Sequence, residues 1–588
     1  MKLSKSEQKQ YYVDYVLDAK KEAKDAEKDL RDKWEELWMV YQSRQDNTVK
    51  ADWQSKTFAP KIFMQIEKSA GEIKRAVMQT RKLFKFEFDD FQYKMDVVKF
   101  QQQLADCEDS EQMGAIQKHI VETRRAMQMK REELALLEEK FKLDLKKTNL
   151  TNVYSLMVKS AFLLGIGVPK VLWSPKMKAA KFEHVDRMNT FISPEYHPFQ
   201  QERPPYIIEY KRMPLARLKK LAKDASKAGA KGWDLKAIRD LEEDSSAAES
   251  KTKERERKGL SGSSKHKKEV EILEFWGDVI DKDDTDVEEN LLLVIVNDKY
   301  LIRKQVNPFK HGKTPYPLAY PLPYPHRGQA GTSLSAPLIT LQYAYNNVLN
   351  MWIDNLNFTV NKVFQYDATN LEDPKSLTNI YPGKKIQVNG DVDAIKEIAI
   401  SNVGHEPRMA MESIDREMQE GSNVTEFVSG FPGSKSKTLG EVEIKTAQAR
   451  GMFDVIARDL EENNLKVVLE MAYDLYEQFA GYPPREGYFS ISVGGVSLQL
   501  LRQELIKQMQ EVIAIALQSE ELHAMTDIKD LWKKFLSLYN LDDVYIVPSG
   551  MSMNMRPEQT QAIAGKAEQD AKAAVSKMSP EQIKKMAG

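Results

Sequence analysis

A single cysteine, Cys107, in 588 residues leaves this chain with no intrachain disulfide and no thiolate cluster for a metal. A reducing, intracellular folding environment is therefore expected. Histidine is scarce as well: the eight histidines are scattered from His119 to His523 without a His-x-x-x-His pair, so the usual sequence sign of a zinc site is missing. Long apolar runs are absent too. The opening MKLSKSEQKQYYVDYV has no apolar signal core and no stretch reaches bilayer-spanning length, so the expectation is a cytoplasmic product without membrane contact. Charge of one sign is also lacking. With 87 Lys and Arg against 88 Asp and Glu the net charge is −1, which excludes a wholly basic nucleic-acid surface and leaves only local patches. There is no Gly-x-Ser-x-Gly elbow, and Cys107 sits in a charged segment without a histidine signature, as an inert thiol does. No catalytic residue, metal or cofactor is expected, and the chain reads as a non-enzyme.

What is present is helical periodicity, in several textures. From Lys5 to about Gln45, Tyr12, Val16, Ala19, Ala23, Leu30, Trp34, Leu37, Trp38 and Tyr41 recur every three or four residues and predict one long helix with an aromatic stripe. A second helix is expected from Ile62 to about Leu83. Tyr93 to Lys147 reads as a helical hairpin broken near Asp106 to Asp109, either an exposed projection or a solvated coiled-coil-like hairpin. From Asn152, VYSLMVKSAFLLGIGVPKVLW predicts a buried helix stopped by Gly165 and Gly167, then a strand. Strands and turns follow to Met213, with a short helix over Leu215 to Ala222. Glu242 to Lys268 is Ser-, Lys- and Glu-rich and fits a solvated linker. VEILEFWGDVI and NLLLVIVNDKYLIRK flank the acidic turn DKDDTD as a β-hairpin; that turn lacks the glycine and distal glutamate of a calcium loop.

After a proline-punctuated extended stretch, a helix is predicted from Gly331 to about Asn357, with Asn346, Asn347, Asn350, Asp354, Asn355 and Asn357 on its polar side. Strand-like KVFQYD, KKIQVNG and AIKEIAI form a small β module, and a helix from about His405 to Glu420 leads to GFPGSKSKT. This resembles a phosphate-binding loop until aligned. If Lys437 and Thr438 were its Lys-Thr, glycines would be required where Phe431 and Ser436 stand, so the amide cradle does not form. A basic loop with Gly430, Pro432 and Gly433 remains. Thr438 and Glu441 then make a capping box for a helix reaching about Phe479, ~60 Å at ~1.5 Å per residue, with a kink expected near Gly451 or Asn463-Asn464.

This succession resembles the portal proteins, or head-to-tail connectors, of tailed double-stranded-DNA bacteriophages. The residues that carry it are FWG with its hairpin, NPFKHGKTPYP, QYAYNNVLNMWIDNLNF, PGKKIQV, NVTEFVSG, and Thr438-Leu-Gly-Glu441 heading a long helix. It spans roughly Asn152 to Ser549, and the hairpin from Tyr93 has no clear counterpart in the pattern. The resemblance implies an α+β, predominantly helical subunit with wing, stem, clip and crown regions, forming a ring, usually of twelve copies, around a central channel. It implies an outer wing at 1–92, the charged hairpin at 93–148, more wing at 149–330 and a stem helix at 331–357. The clip falls at 358–404, a second stem helix at 405–421 and a channel loop at 422–439. A long wing helix at 440–480 leads to wing and crown at 481–549 and a crown or tail at 550–588. Channel-loop residues would be Gly430, Phe431, Gly433, Lys435 and Lys437, and partner-docking residues Tyr366, Pro382, Gly383, Lys384 and Lys385. Implied partners are other copies of the chain, double-stranded DNA read without sequence specificity, the terminase large subunit, a head-completion or tail adaptor protein, and capsid and scaffold proteins. The implied setting is the virion, at the capsid vertex, after assembly in the host cytoplasm. A reading from another class, a non-enzymatic helical scaffold or adaptor, treats the loop at Gly430 as a plain connector.

Overall fold

The computed structural model describes residues 4–78, 83–105, 110–227, 229, 231–241, 269–281, 286–367, 369, 385–388, 395–422, 455–494, 506, 508–513 and 535. Contacts divide the chain into Met1–Leu498 and Gln499–Gly588. The second unit contributes a helical stretch at 508–513. Among the described residues, the sheets and the packed hydrophobic clusters all lie in the first.

Helix α1 (Lys5–Ala26) opens with a capping box in which Ser4 and Glu7 satisfy each other's backbone amides. It lays Tyr12, Val13, Val16, Ala19 and Ala23 on one face of a sheet. The periodicity predicted a single helix to Gln45, but the structure breaks at Glu27 (φ −97°, ψ 4°) and restarts as α2 (Lys28–Tyr41). The reason is a contact from far along the chain: Glu27 is fully buried and bound by Arg187, with Arg31 one turn on. The break lets α1 cover one hydrophobic cluster while Trp34 and Leu37 of α2 enter another.

Helix α3 (Lys61–Ile73) runs into a π-helical turn, Lys74–Met78, and is followed by β1 (Phe84–Phe88). The predicted hairpin is present as α4 (Phe91–Ala105) and α5 (Ser110–Lys146); the expected break at 106–109 lies outside the described residues. Helix α4 buries no side chain, whereas Leu134, Phe141 and Leu145 root α5 in the core. Helix α6 (Leu150–Leu164) ends at Gly165, which adopts φ +83°. A Cβ there would lie 2.0 Å from the Gly331 carbonyl oxygen, so glycine is required twice over.

Strands β2 (Val168–Ser174) and β3 (Ala179–Val185) pair antiparallel. The main sheet is five-stranded and antiparallel, built from β4 (Thr190–Ile192) and β5 (Tyr206–Pro214), then β6 (Glu269–Ile280), β7 (Val287–Val296) and β8 (Tyr300–Val306) in that spatial order. Helices α7 (Leu215–Lys227) and α8 (Leu235–Asp240) separate β5 from β6 in sequence. Strand β7 explains its own apolar run: Leu291, Leu293 and Ile295 face α1, while Leu292, Val294 and Val296 face the opposite cluster, so both sides are covered. NLLLVIVNDKYLIRK is two strands, not one, because Asn297 and Asp298 both turn at positive φ (53° and 54°), a region Asn and Asp tolerate better than most residues.

The largest cluster joins distant segments. Strand β1 pairs with β11 (Phe489–Val493), and Phe84, Phe86, Phe141, Tyr473, Tyr482 and Phe489 interlock there, Phe86 and Phe489 with centroids 4.4 Å apart. The remaining elements, α9 (Ile339–Val360), β9 (Val363–Tyr366), β10 (Ile395–Ile398), α10 (Glu406–Ser422) and α11 (Lys466–Ala480), build the candidate site and its support.

Candidate functional site

Helix α9 begins at Ile339, eight residues later than the periodicity predicted from Gly331. The delay has a physical cause. Gly331 donates its N–H to the Gly165 carbonyl at 3.0 Å, and the Ser333 and Ser335 hydroxyls donate to the Leu163 carbonyl at 2.7 and 3.0 Å. These bonds hold 331–335 outside any helix against the end of α6, and only after a 3-10 turn at Ala336–Leu338 does the helix start.

The asparagine-rich side of α9, expected to be merely polar, is a buried ladder. Gln342, Asn346 and Asn350 are almost fully covered. They and Asp354 bind the main chain of the segment that enters α3. Ser55 N–H donates to Asp354 Oδ1 at 2.7 Å, Thr57 N–H to Asn350 Oδ1 at 2.8 Å, Ala59 N–H to Asn346 Oδ1 at 3.0 Å and Ile62 N–H to Gln342 Oε1 at 3.0 Å. In return Asn350 Nδ2 donates to Thr57 O at 2.9 Å and Gln342 Nε2 to Ala59 O at 2.7 Å. Trp53 against Phe358, 5.2 Å between centroids, extends the row. The spacing works because four helical residues rise ~6 Å and two extended residues ~6.5 Å. The sequence signal was there, amides every fourth residue, but nothing in it named the strand-like strap they grip.

Asn350→Ala leaves both the N–H and the C=O of Thr57 without their partner, and a destabilisation of about 1–3 kcal/mol is expected. Asn347→Ala, at an exposed position one residue from the ladder, is the control and should be near neutral. Urea unfolding with hydrogen exchange at Thr57 checks this: faster exchange in both variants, or in neither, contradicts the ladder's role.

At the far end of α9, β9 and β10 pair antiparallel with Tyr366 opposite Ile395, and Lys362 bridges Glu397 at 2.7 Å. Asn355 closes the base of this pair, donating to Ser401 O at 3.0 Å and accepting from Val403 N–H at 3.2 Å. Helix α10 returns beside α9 with Met411 and Met418 buried, and Lys61 ties the two by bridging Asp415 at 2.8 Å while sitting 4.7 Å from the Tyr345 ring centroid. Two helices thus carry a small β pair between them. Its flanks leave Met351, Val360, Val363, Tyr366, Ile398 and Met409 exposed.

Of the predicted docking residues, Tyr366 and Lys385 are exposed, and Pro382, Gly383 and Lys384 lie outside the described residues. The channel-loop residues Gly430, Phe431, Gly433, Lys435 and Lys437 also lie outside them, as does the linker at 242–268. Of the long helix predicted to Phe479, the part before residue 455, with the Thr438–Glu441 capping box and the Gly451 kink site, lies outside the described residues; a π-helical turn stands at Glu461–Leu465, at the other expected kink site, Asn463-Asn464. Asn464 is buried there and donates to Pro317 O at 2.7 Å, drawing the helix against the proline-rich segment.

A buried cluster of charges sits elsewhere, where β2, β5 and β6 meet. Lys170 is bound to Glu209 and Glu274 at 2.6 and 2.7 Å, and Lys211 reaches the same two carboxylates. With two charges of each sign and every member hydrogen-bonded, this cluster is a structural tie rather than a reactive centre. Among the described residues no group of three or more His, Cys, Asp or Glu is placed to hold a metal ion, and no helix is long and apolar enough to cross a membrane.

A family model described as phage SU10 portal protein matches residues 106–573. No curated protein matches the chain. Among solved structures, the neck of an empty GTA particle, computed with C6 symmetry, is similar with a TM-score of 0.31 and 10% identity, over 61% of this chain and 74% of that one.

Proposed function

We propose a function from one established premise: this chain belongs to the phage SU10 portal protein family, whose model matches it over residues 106–573. A portal or connector role in a phage particle follows from that membership. In our reading, copies of the chain, twelve as in the family pattern, close into a ring at one capsid vertex. Double-stranded DNA enters through the ring during packaging, is retained by it, and leaves through it at ejection.

The carrying observation is that match, together with the order of described elements inside it: α9, the β9–β10 pair, α10 and, further along, α11. The exposed apolar flanks of the two-helix projection fit a head-to-tail contact with the next copy, the type of interface that closes by rotation. Tyr366, Lys385 and their neighbours at the β pair would dock the terminase large subunit and later the head-completion or tail adaptor protein, while the wing meets capsid and scaffold proteins. Lys435 and Lys437, carried by Gly430, Phe431 and Gly433, would touch DNA phosphates. Such contacts carry no base readout and stay few per subunit, so the duplex can slide. No chemistry is asked of this chain in that role.

Light scattering on the purified protein with negative-stain imaging tests the reading. A closed ring with a central opening is expected; a monomer or dimer at every salt concentration overturns it.

A further inference from the structure

Helix α7 has one face in the core and one face made of cations. Leu215, Leu218 and Ala222 are buried against the sheet. At ~100° per residue, Arg217, Lys220, Lys223 and Lys227 fall within an arc of about 120° on the opposite side. All four are exposed. Over ten residues they span ~15 Å. The only acid on the helix, the exposed Asp224, falls inside the same arc and leaves that face with an excess of about three positive charges.

None of these four cations has an acidic partner among the described residues. Lys9 is bound to Asp234 at 2.5 Å, Lys61 to Asp415 at 2.8 Å and Lys159 to Glu67 at 2.6 Å. Four exposed cations gathered on one side of one helix, with a single acid beside them, make a local excess of positive charge in a chain whose total charge is nearly balanced. A rigid helix that keeps four of them together and unpaired is set up to meet negative charge from outside.

The chemistry of that face selects among polyanions. A protein partner wants an apolar or aromatic centre that becomes desolvated; here Leu221, at 47% exposure, is the one large apolar side chain on show. A lipid surface wants the apolar face of the helix, and that face is buried in the core. Single-stranded nucleic acid wants aromatic platforms, and α7 has no aromatic residue. A duplex backbone wants only positive charge at a spacing it can use, and it carries about one negative charge per 1.7 Å of axis.

We propose that the α7 face is a second, sequence-independent contact for the phosphate backbone of double-stranded DNA, separate from the loop at Lys435 and Lys437. The inference deepens the portal reading and rests on it for the presence of DNA.

The test uses the full-length chain carrying Arg217→Gln, Lys220→Gln, Lys223→Gln and Lys227→Gln together, with a Lys435→Ala/Lys437→Ala variant for comparison. Binding to a fluorescein-labelled duplex of random sequence is followed by anisotropy across a salt series, and light scattering on the same samples reads ring formation. Removal of four phosphate contacts should lower the steepness of log affinity against log salt by roughly 3 to 4 and weaken binding at least ~10-fold at moderate salt, equally for unrelated sequences. Retention of the wild-type slope by the α7 variant overturns the proposal, as does failure of the wild-type chain to bind duplex at low salt. Competition by polyglutamate as strong as that by DNA, charge for charge, overturns it in favour of an acidic protein. Loss of the ring in the wild-type sample with DNA binding intact sinks the portal reading and leaves the α7 contact standing.

Discussion

Arg187→Met should cost about 3–5 kcal/mol, more than any change on the surface, because it strands a buried carboxylate. Arg187 is fully buried and bound to the equally buried Glu27. Its other N–H groups donate to backbone: Nη2 and Nε to Gln329 O at 2.8 and 3.2 Å, and Nη1 to Thr190 O at 2.5 Å. The guanidinium carbon lies 4.7 Å from the Trp34 ring centroid, and Trp34 is itself pinned by donating Nε1–H to Leu164 O at 2.9 Å. One side chain therefore joins the α1–α2 break, the start of β4, the extended stretch before α9 and the end of α6. Methionine fills much of the volume but leaves Glu27 Oε1 dry, with only Arg31, at 2.8 Å from Oε2, to stabilise the carboxylate. The check is urea unfolding of Arg187→Met, Glu27→Gln and the double variant. If the two groups act as a pair, the double variant is less destabilised than the sum of the singles. Additive losses mean the residues contribute independently, and the pairing is then refuted.

That same contact marks the limit of what the sequence could tell. The stripe from Tyr12 to Tyr41 runs without interruption, and nothing in it announces a break at Glu27; the break exists because Arg187, far along the chain, claims that carboxylate. Strand β1 was illegible for the same reason. Phe84 to Phe88 alternates as a strand should, yet its partner, Phe489 to Val493, lies at the other end of the unit, and a reading of local residues runs the preceding helix to about Leu83 and assigns nothing to the five that follow. Local signals did better. Gly165 stops α6 where a left-handed residue is needed, the helical period from Tyr93 to Lys147 is present as α4 and α5, and the paired asparagines at 463 and 464 coincide with the π-helical turn. For the candidate site, the two helices and the strand pair between them were legible from period and proline placement, with the start of α9 misplaced by eight residues because the serines at 333 and 335 hold that stretch open. The ladder was half legible: its asparagines stood out, but their partner is backbone, which has no sequence signature.

Lys170→Met is expected to be comparably damaging at neutral pH, and its damage should shrink on acidification, which distinguishes it from a packing defect. Glu209 and Glu274 are register partners on β5 and β6, so two carboxylates face each other directly, an arrangement that repels unless cations intervene. Lys170 on β2 supplies one cation and Lys211 the other, while Tyr316 donates its hydroxyl to Glu209 at 2.7 Å and Trp276 its Nε1–H to Glu274 at 2.8 Å. Burial pushes both carboxyls up, but the charges of Lys170 and Lys211 outweigh it and hold both below the ordinary glutamate value of 4.5. Depressed carboxyls of this kind contribute stability that is present above the unfolded value and is lost as pH falls from there through the folded ones. Without Lys170 the sign reverses for one of the pair: a carboxyl facing another across the strands, with one lysine left, titrates above its unfolded value and takes up a proton in the folded state. The variant should thus lose about 3–5 kcal/mol at about pH 7, and a clearly smaller amount at about pH 5, where that proton relieves the repulsion. Urea unfolding of both proteins at the two pH values decides it. An equal deficit at both would mean that Lys170 matters for its packed methylenes and not for its charge.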